Sequence, residues 1–138
     1  MDIRYPAILE PQKPKGFFVR FQDLDDTFTE GETEEEALFN AAEVLTAMLE
    51  WRMDNNQTIP EPSIGVVGAR YVAPDAKTQA ALLVRRSRGD RPMSEIARAM
   101  GTSWPAANRM ENVRHWPSLK QLEKTAAVLG HRLIISFE

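Results

Sequence analysis

The spacing of apolar residues changes once along this chain. Residues 3–9 and 17–21 form alternating, β-prone runs, which predict strands. From residue 76 onward, apolar residues recur at spacings of three and four, which is the pattern of amphipathic helices. These two patterns in succession predict an α+β protein with a β-rich first module and a helical second module.

The first module is predicted to have the element order β-β-β-α-β. Two further strands are predicted at residues 26–29 and 64–72. Between them, Thr33 starts a helix through a capping box, in which its hydroxyl accepts from the amide of Glu36 and the Glu36 carboxylate reaches back to Thr33. This helix should run to residue 53 or 54, with an apolar face composed of Leu38, Ala41, Ala42, Leu45, Met48 and Leu49. The module is therefore predicted to be an antiparallel sheet with a helix on one face.

The second module is predicted to begin at residues 73–75. Pro74 ends the last strand and Asp75 is a suitable N-cap for the following helix, so the predicted domains are 1–73 and 74–138. Helices are predicted from residue 76 to the basic cluster at 85–88, and then over residues 93–100, 104–112 and 119–129. A short strand is predicted at residues 133–137.

The two halves of the chain carry opposite charge. Residues 1–63 contain 14 acids and 5 bases, a net charge of −9, whereas residues 64–138 contain 6 acids and 12 bases, a net charge of +6. This asymmetry indicates two modules with partners of opposite charge, although two solvated faces would give the same counts.

Residue types that support catalysis are scarce. The chain has no cysteine, which excludes disulfides, thiolate zinc sites, iron–sulfur clusters and a cysteine nucleophile. Its two histidines, His115 and His131, are far apart in sequence and have no neighbouring serine partner. We therefore expect no enzymatic activity, no metal site and no cofactor. Without a run of about 18 apolar residues or a signal pattern, the chain is expected to be cytoplasmic and to have no membrane span.

Residues 93–112 have the spacing of a helix-turn-helix. Gly101 supplies the positive φ of the turn and Ser103 can cap the second helix. Trp104, Asn108 and Arg109 are left on the outer face of that helix, where they could enter a major groove. A pair of amphipathic helices joined by a glycine turn also occurs in proteins that do not bind DNA. The residues predicted to face the core are Ile96, Ala97, Met100, Ala107 and Met110.

The second module resembles the lambda-repressor-like (Xre, or Cro/C1) DNA-binding family, in SEIARAMGTS at residues 94–103, NRMEN at 108–112 and PSL…AAVLG within 117–130. The resemblance implies a helix-turn-helix whose base-facing positions are Ser103, Trp104, Pro105 and Arg109, with Asn108 beside them. It also implies that Asn112 and Arg114 lie near phosphates. Trp104 and Pro105 depart from the glutamine or serine that is common in that family, and Pro92 replaces the usual capping serine or threonine.

The first module resembles the HicB antitoxin family, in YPAIL at residues 5–9, GFFVRFQDL at 16–24, TEGETEEEA at 29–37 and IPEPS at 59–63. The resemblance spans nearly all of residues 3–72 and implies a partial RNase H-like sheet with one helix. It also implies a type II antitoxin that binds HicA, a small RNA-cleaving toxin. An attached Xre-type domain would bind operator DNA and repress the operon.

The acidic first module would suit such a toxin, because an RNA-cleaving protein should present a basic surface to its substrate. The candidate toxin contacts are Asp23, Asp25, Asp26 and Glu30, although these positions would also suit a solvated loop and helix start. A transcriptional regulator whose first module senses a ligand or another protein is the main alternative function. A residual ribonuclease is disfavoured, because the three aspartates lie in one loop instead of converging from separate elements.

Residues 133–137 are apolar, β-prone and too short to be stable alone. We expect them to pair with another subunit across a two-fold axis, although packing on their own helices is the alternative. The result would be a homodimer, or a higher even oligomer, that presents two recognition helices to operator half-sites. The candidate dimerisation residues are Leu133, Ile134, Ile135 and Phe137.

Overall fold

The computed structural model describes residues 1–138, and its first part is an antiparallel sheet with one helix. The elements are β1 (Tyr5–Pro11), β2 (Phe17–Phe21), β3 (Leu24–Gly31), α1 (Glu34–Asp54) and β4 (Arg70–Val72). The strands lie in the order β3-β2-β1-β4, and all neighbours are antiparallel. The predicted α+β class and the β-β-β-α-β order are confirmed.

The core of this part lies between α1 and one face of the sheet. Every fourth residue of α1 is fully buried, from Ala37 through Ala41 and Leu45 to Leu49, which places one narrow stripe against the strands. The strand residues buried opposite this stripe include Tyr5, Ala7, Val19, Phe21 and Leu24. Gly31, which ends β3, lies so close to the start of α1 that a Cβ there would collide with the backbone of Ala37.

The cap of α1 is confirmed, with one change. The Thr33 hydroxyl accepts from the amide of Glu36 at 3.1 Å. The Glu36 carboxylate, however, accepts from the amide of Glu32 at 3.4 Å and not from that of Thr33. The helix thus begins one residue after Thr33 and ends at Asp54, as the spacing predicted.

The predicted strand at residues 64–72 is wrong over its first six residues. Only Arg70–Val72 pair with β1. Ile64 and Val67 are 92% and 95% exposed, and Gly65 and Gly68 have φ angles of 67° and 76°. The glycines turn the backbone out of an extended path, so Ile64 and Val67 face solvent instead of a sheet.

The chain divides into two compact units, Met1–Thr78 and Gln79–Glu138, called unit 1 and unit 2 below. The division falls in the first turn of α2 (Ala76–Arg88), shortly after the boundary that the sequence predicted. Asp75 caps this helix, because its Oδ1 accepts from the amide of Thr78 at 3.0 Å. Unit 2 contains the rest of α2, followed by α3 (Met93–Met100), α4 (Trp104–Arg109) and α5 (Leu119–Val128).

Unit 2 is held by one apolar cluster. It is built from Val84, Met93, Ile96, Ala97, Met100, Ala107, Met110 and Leu129, with Leu122 and Val128 packed against it. All five residues that the helix-turn-helix spacing assigned to the core are therefore buried. Helix α4 ends three residues earlier than predicted. The amides of Met110, Glu111 and Asn112 each bond to the carbonyl three residues back, so the chain tightens into turns after Arg109.

The predicted C-terminal strand is not formed in the single chain. Residues 131–138 have no regular secondary structure, and Ile134, Ile135 and Phe137 are exposed. A strand is defined by hydrogen bonds to a neighbouring backbone, and alternation in sequence does not supply that neighbour. No helix of either unit has the length and apolar character needed to cross a membrane.

Candidate functional site

The segment from α3 to α4 has a tightly specified turn. Gly101 ends α3 in the left-handed conformation, with a φ of 67°. Ser103 then begins α4, because its Oγ accepts from the amide of Ala106 at 3.3 Å. On the inner side of α4, Ala107 and Met110 are buried in the unit 2 cluster. The predicted turn and cap are confirmed, and they fix which side of α4 faces outward.

The outer side of α4 carries the predicted DNA-contact residues. Trp104 is 51% exposed, and Pro105, Asn108 and Arg109 are exposed as well. Ser103 lies at the start of the same helix. We call these five residues the α4 face. It combines an aromatic ring, an amide and a guanidinium, which are groups that contact base edges and thymine methyls.

The other two predicted DNA contacts lie in the turns after α4. Asn112 and Arg114 are exposed, and the side-chain Oδ1 of Asn112 accepts from the amide of Arg114 at 2.9 Å. The side-chain oxygen of Asn112 thus accepts a hydrogen bond within its own turn, while the side-chain NH2 group remains available as a donor. Both side chains belong to the segment that directly continues the α4 face.

A partly buried ion pair fixes the turn after α4. Nε and Nη2 of Arg88 donate to Oε2 and Oε1 of Glu111 at 2.5 and 3.0 Å, and Nη1 of Arg88 donates to the Arg91 carbonyl at 2.8 Å. The hydrogen bonding of Arg88 to the Glu111 carboxylate, opposed by partial burial, raises the pKa of Arg88 above its usual value. The pair ties the end of α2 to the segment that follows the α4 face.

This pair was not predicted from the sequence. Glu111 binds Arg88, and Arg109 is exposed on the α4 face. Helical phase could have placed Arg88 on the inner side of α2, since it follows the buried Val84 by four residues, but it gives no signal for Glu111 as the partner.

Unit 2, which carries the α4 face, has a positive net charge. Residues 79–138 contain 10 bases and 5 acids, a net charge of +5. Besides Arg109, the side chains of Arg98, Lys120 and Lys124 are exposed. Such a surface attracts a polyanion at long range, whatever its sequence.

In unit 1, two of the four predicted toxin contacts have internal roles. Asp23 accepts from the amide of Ser63 at 2.8 Å and from its hydroxyl at 2.6 Å. The same loop is held by Tyr5, whose hydroxyl donates to the Pro60 carbonyl at 2.6 Å. Asp23 therefore anchors residues 60–63 to the turn between β2 and β3. The spacing of the chain gave no signal for this contact.

The Asp26 carboxylate also binds side chains of unit 1, whereas the carboxylates of Asp25 and Glu30 do not. Nη2 of Arg52 donates to Oδ1 of Asp26 at 2.9 Å, and the Thr27 hydroxyl donates to the same oxygen at 3.1 Å. Partial burial raises the pKa of Asp26, but these hydrogen bonds outweigh it, so the pKa lies below its ordinary value. Asp25 and Glu30 are exposed and form no ion pair.

The structure contains no group of three or more histidine, aspartate or glutamate side chains that could hold a metal ion. His115, which precedes α5 in the sequence, is half-buried, and His131, which follows α5, is exposed. The acidic residues of the β2–β3 region instead act as acceptors for Ser63, Thr27 and Arg52.

Comparison with known proteins identifies the family of this chain. The model for the HicB-like antitoxin of bacterial toxin–antitoxin systems matches residues 4–78, which is nearly the whole of unit 1. Antitoxin HicB 1 of Photorhabdus laumondii subsp. laumondii is 33% identical over 139 residues, covering 99% of this chain and 88% of that protein. Antitoxin HicB of Escherichia coli K12 is 26% identical over 133 residues, covering 95% and 96%. The chain belongs to the HicB-like antitoxin family of bacterial toxin–antitoxin systems.

Proposed function

We propose that unit 1 binds and neutralises an RNA-cleaving HicA-type toxin, and that unit 2 binds operator DNA and represses the toxin–antitoxin operon. Membership of the antitoxin family implies a toxin partner. The observation that carries the second half of the proposal is the α4 face, since it leaves Trp104, Asn108 and Arg109 exposed together on an anchored helix.

In this proposal α3, the Gly101 turn and α4 are a helix-turn-helix, and α4 enters the major groove. Arg109 can donate two hydrogen bonds to guanine, an interaction with a discrimination of about 1–3 kcal/mol against other bases. Trp104 can contact a thymine methyl or a sugar. Asn112 and Arg114, in the turns that follow, are assigned to phosphates, which position the domain without selecting sequence.

The toxin-binding half of the proposal is supported by charge. Residues 1–78 contain 15 acids and 7 bases, a net charge of −8. A protein that cleaves RNA needs a basic surface for its substrate, and an acidic partner would be steered to that surface and compete for it. In this assignment the sheet and α1 form a partial RNase H-like domain that has a binding role, and the domain boundary lies at residues 73–75.

A homodimer would complete the DNA-binding part. The exposed residues Ile134, Ile135 and Phe137 would pair with the same segment of a second copy, which supplies the neighbouring backbone that the single chain lacks. Two copies of α4 would then reach operator half-sites about 34 Å apart, one turn of DNA.

The experiment combines growth rescue with operator binding by the full chain. Any small basic protein encoded beside the gene is expressed alone and together with this chain. Co-expression should restore the growth that the basic protein inhibits, and the chain should bind DNA from its own promoter. Arg109→Ala should weaken operator binding by about 10-fold or more without affecting rescue. Arg98→Ala is the matched control, because it removes an exposed arginine of α3 that lies outside the α4 face. Absence of rescue would contradict the toxin assignment, and equal effects of both variants would contradict the α4 assignment.

A further inference from the structure

Unit 1 has a sheet face that α1 does not cover. Strand pairing places six side chains on it in two rows, because Ile8 lies opposite Arg20 and Arg20 opposite Phe28, while Glu10 lies opposite Phe18 and Phe18 opposite Glu30. Their neighbours along the strands, such as Ala7 and Val19, are buried towards α1, so these residues point the other way. We call this the open sheet face.

An aromatic pair lies on the open sheet face, towards the edge formed by β3. The rings of Phe18 and Phe28 have centroids 5.9 Å apart, and Phe28 is 56% exposed. Phe18 lies on β2 and Phe28 on the paired edge strand β3, so the two rings are held beside each other before any partner binds. Large aromatic side chains that are exposed and preorganised are the usual anchors of protein–protein interfaces.

The charge beside this pair is not neutralised. Arg20 donates to Glu10 at 2.9 Å, which leaves Glu30, directly opposite Phe18, without an ion pair. Asp25, further along β3, is also exposed. Six of the seven bases of unit 1 form ion pairs with acids of the same unit, so few cations remain to screen these carboxylates.

The helix side of unit 1 offers a weaker alternative. Phe39 is 65% exposed there and lines a groove with Glu43, Glu50 and Asp75. Two of those three carboxylates are already bound by Lys77, at 2.6 Å for Glu50 and 3.2 Å for Asp75. The rest of the groove is lined mainly by small residues, so it has no second aromatic ring to pair with Phe39.

We infer that the open sheet face is the surface on which a basic toxin docks, with Phe18 and Phe28 as the apolar anchor and Glu30 as the contact for a lysine or arginine of the toxin. This inference rests on the proposed function of unit 1. It assigns the occupant by charge complementarity, because an apolar aromatic pair beside the carboxylate of Glu30, which has no ion pair, fits a partner with apolar and cationic side chains. Of the four acids predicted from sequence, it retains Glu30 as a direct contact.

The test uses two matched pairs of substitutions in the full chain. Phe28→Ser and Glu30→Lys alter the open sheet face, whereas Phe39→Ser and Glu43→Lys make the same chemical changes at exposed positions of α1. The dissociation constant for the small basic protein encoded beside the gene is measured by titration calorimetry. Operator binding and thermal unfolding of each variant show whether the chain remains folded.

Phe28→Ser should weaken binding of the basic protein by about 30-fold or more, as expected for an aromatic anchor, and Glu30→Lys by about 10-fold. Phe39→Ser and Glu43→Lys should change it by less than about 3-fold. If the two sheet variants bind as tightly as the unaltered chain, or if the α1 variants are the weaker ones, the surface assignment is wrong while the antitoxin function stands. If the unaltered chain does not bind the basic protein, the proposed function fails and this inference with it.

Discussion

The two units differ in whether their basic residues form ion pairs or are exposed to solvent. In unit 1, cations such as Arg52 and Lys77 bind acids of the same unit, at 2.9 Å for Asp26 and 2.6 Å for Glu50. In unit 2, Arg88 is bound by Glu111, whereas Arg98 and Arg109 are exposed. Unit 1 therefore uses its cations for structure and presents an acidic surface, while unit 2 presents most of its cations to solvent. The opposite net charges of the two halves of the sequence thus correspond to surfaces of opposite charge on the two units.

The largest expected effect concerns the core of unit 1. Leu45→Ala removes a fully buried side chain of α1 and should lower the free energy of unfolding by about 3 kcal/mol, because a cavity is left beneath the helix. Amide hydrogen exchange should accelerate in the sheet and α1 but not in α3–α5. Leu45→Met, which keeps the volume, should cost less than about 1.5 kcal/mol. Equal acceleration in both units would show that they do not unfold independently.

A slightly smaller effect is expected from the ion pair of unit 2. Arg88→Met leaves the largely buried Glu111 carboxylate without its counter-charge and should destabilise unit 2 by about 2–3 kcal/mol. Denaturant unfolding would measure the loss of stability, and hydrogen exchange would show in which unit it occurs. Operator binding should fall as well, because the turn after α4 loses its tie to α2. Arg98→Met is the control, and the double variant Arg88→Met with Glu111→Leu should recover part of the stability.

The contrast within the acids of unit 1 can be tested at Asp23 and Asp25. Asp23→Ala removes the acceptor of two hydrogen bonds from Ser63 and should cost about 2 kcal/mol of stability. Asp25→Ala removes an exposed carboxylate without an ion pair and should change stability by less than about 0.5 kcal/mol. Thermal melts of the two variants provide the comparison. Similar melting temperatures would mean that Asp23 does not anchor the 60–63 loop.

The smallest effect is a dependence on pH. Because hydrogen bonds from Arg52 and Thr27 outweigh partial burial, the pKa of Asp26 in the folded protein lies below the ordinary value of 3.8. The ionised group therefore contributes stability above that value, and the contribution is lost as the pH falls through the folded pKa. The stability difference between the unaltered chain and Asp26→Asn should be constant above about pH 5 and shrink below about pH 4. A difference that grows in acid would contradict the assigned direction.

Local signals in the sequence predicted much of this fold. Thr33, Asp75 and Ser103 each cap a helix through a side-chain oxygen, and such caps depend only on residues within three positions. Gly101 likewise ends α3 because its own backbone adopts a positive φ. The position and outward direction of the α4 face could therefore be inferred before any tertiary contact was known.

Contacts between distant segments could not be predicted in the same way. Asp23 and Ser63 are 40 residues apart, and their contact depends on the path of the loop that follows α1. The proximity of Phe18 and Phe28 depends on the register of β2 and β3, which an irregularity between Arg20 and Phe21 shifts. The C-terminal segment needs a neighbouring backbone that the single chain does not contain, so its alternation could not become a strand.

The central claim is that unit 1 binds a basic toxin and unit 2 binds operator DNA through separate surfaces. The most direct measurement determines both dissociation constants for two full-chain variants, Phe28→Ser and Arg109→Ala, each partner being added alone. We expect Phe28→Ser to lose affinity for the basic protein only, and Arg109→Ala to lose affinity for the operator only. If either substitution weakened both interactions to a similar extent while the chain remained folded, the division of roles between the two units would be wrong.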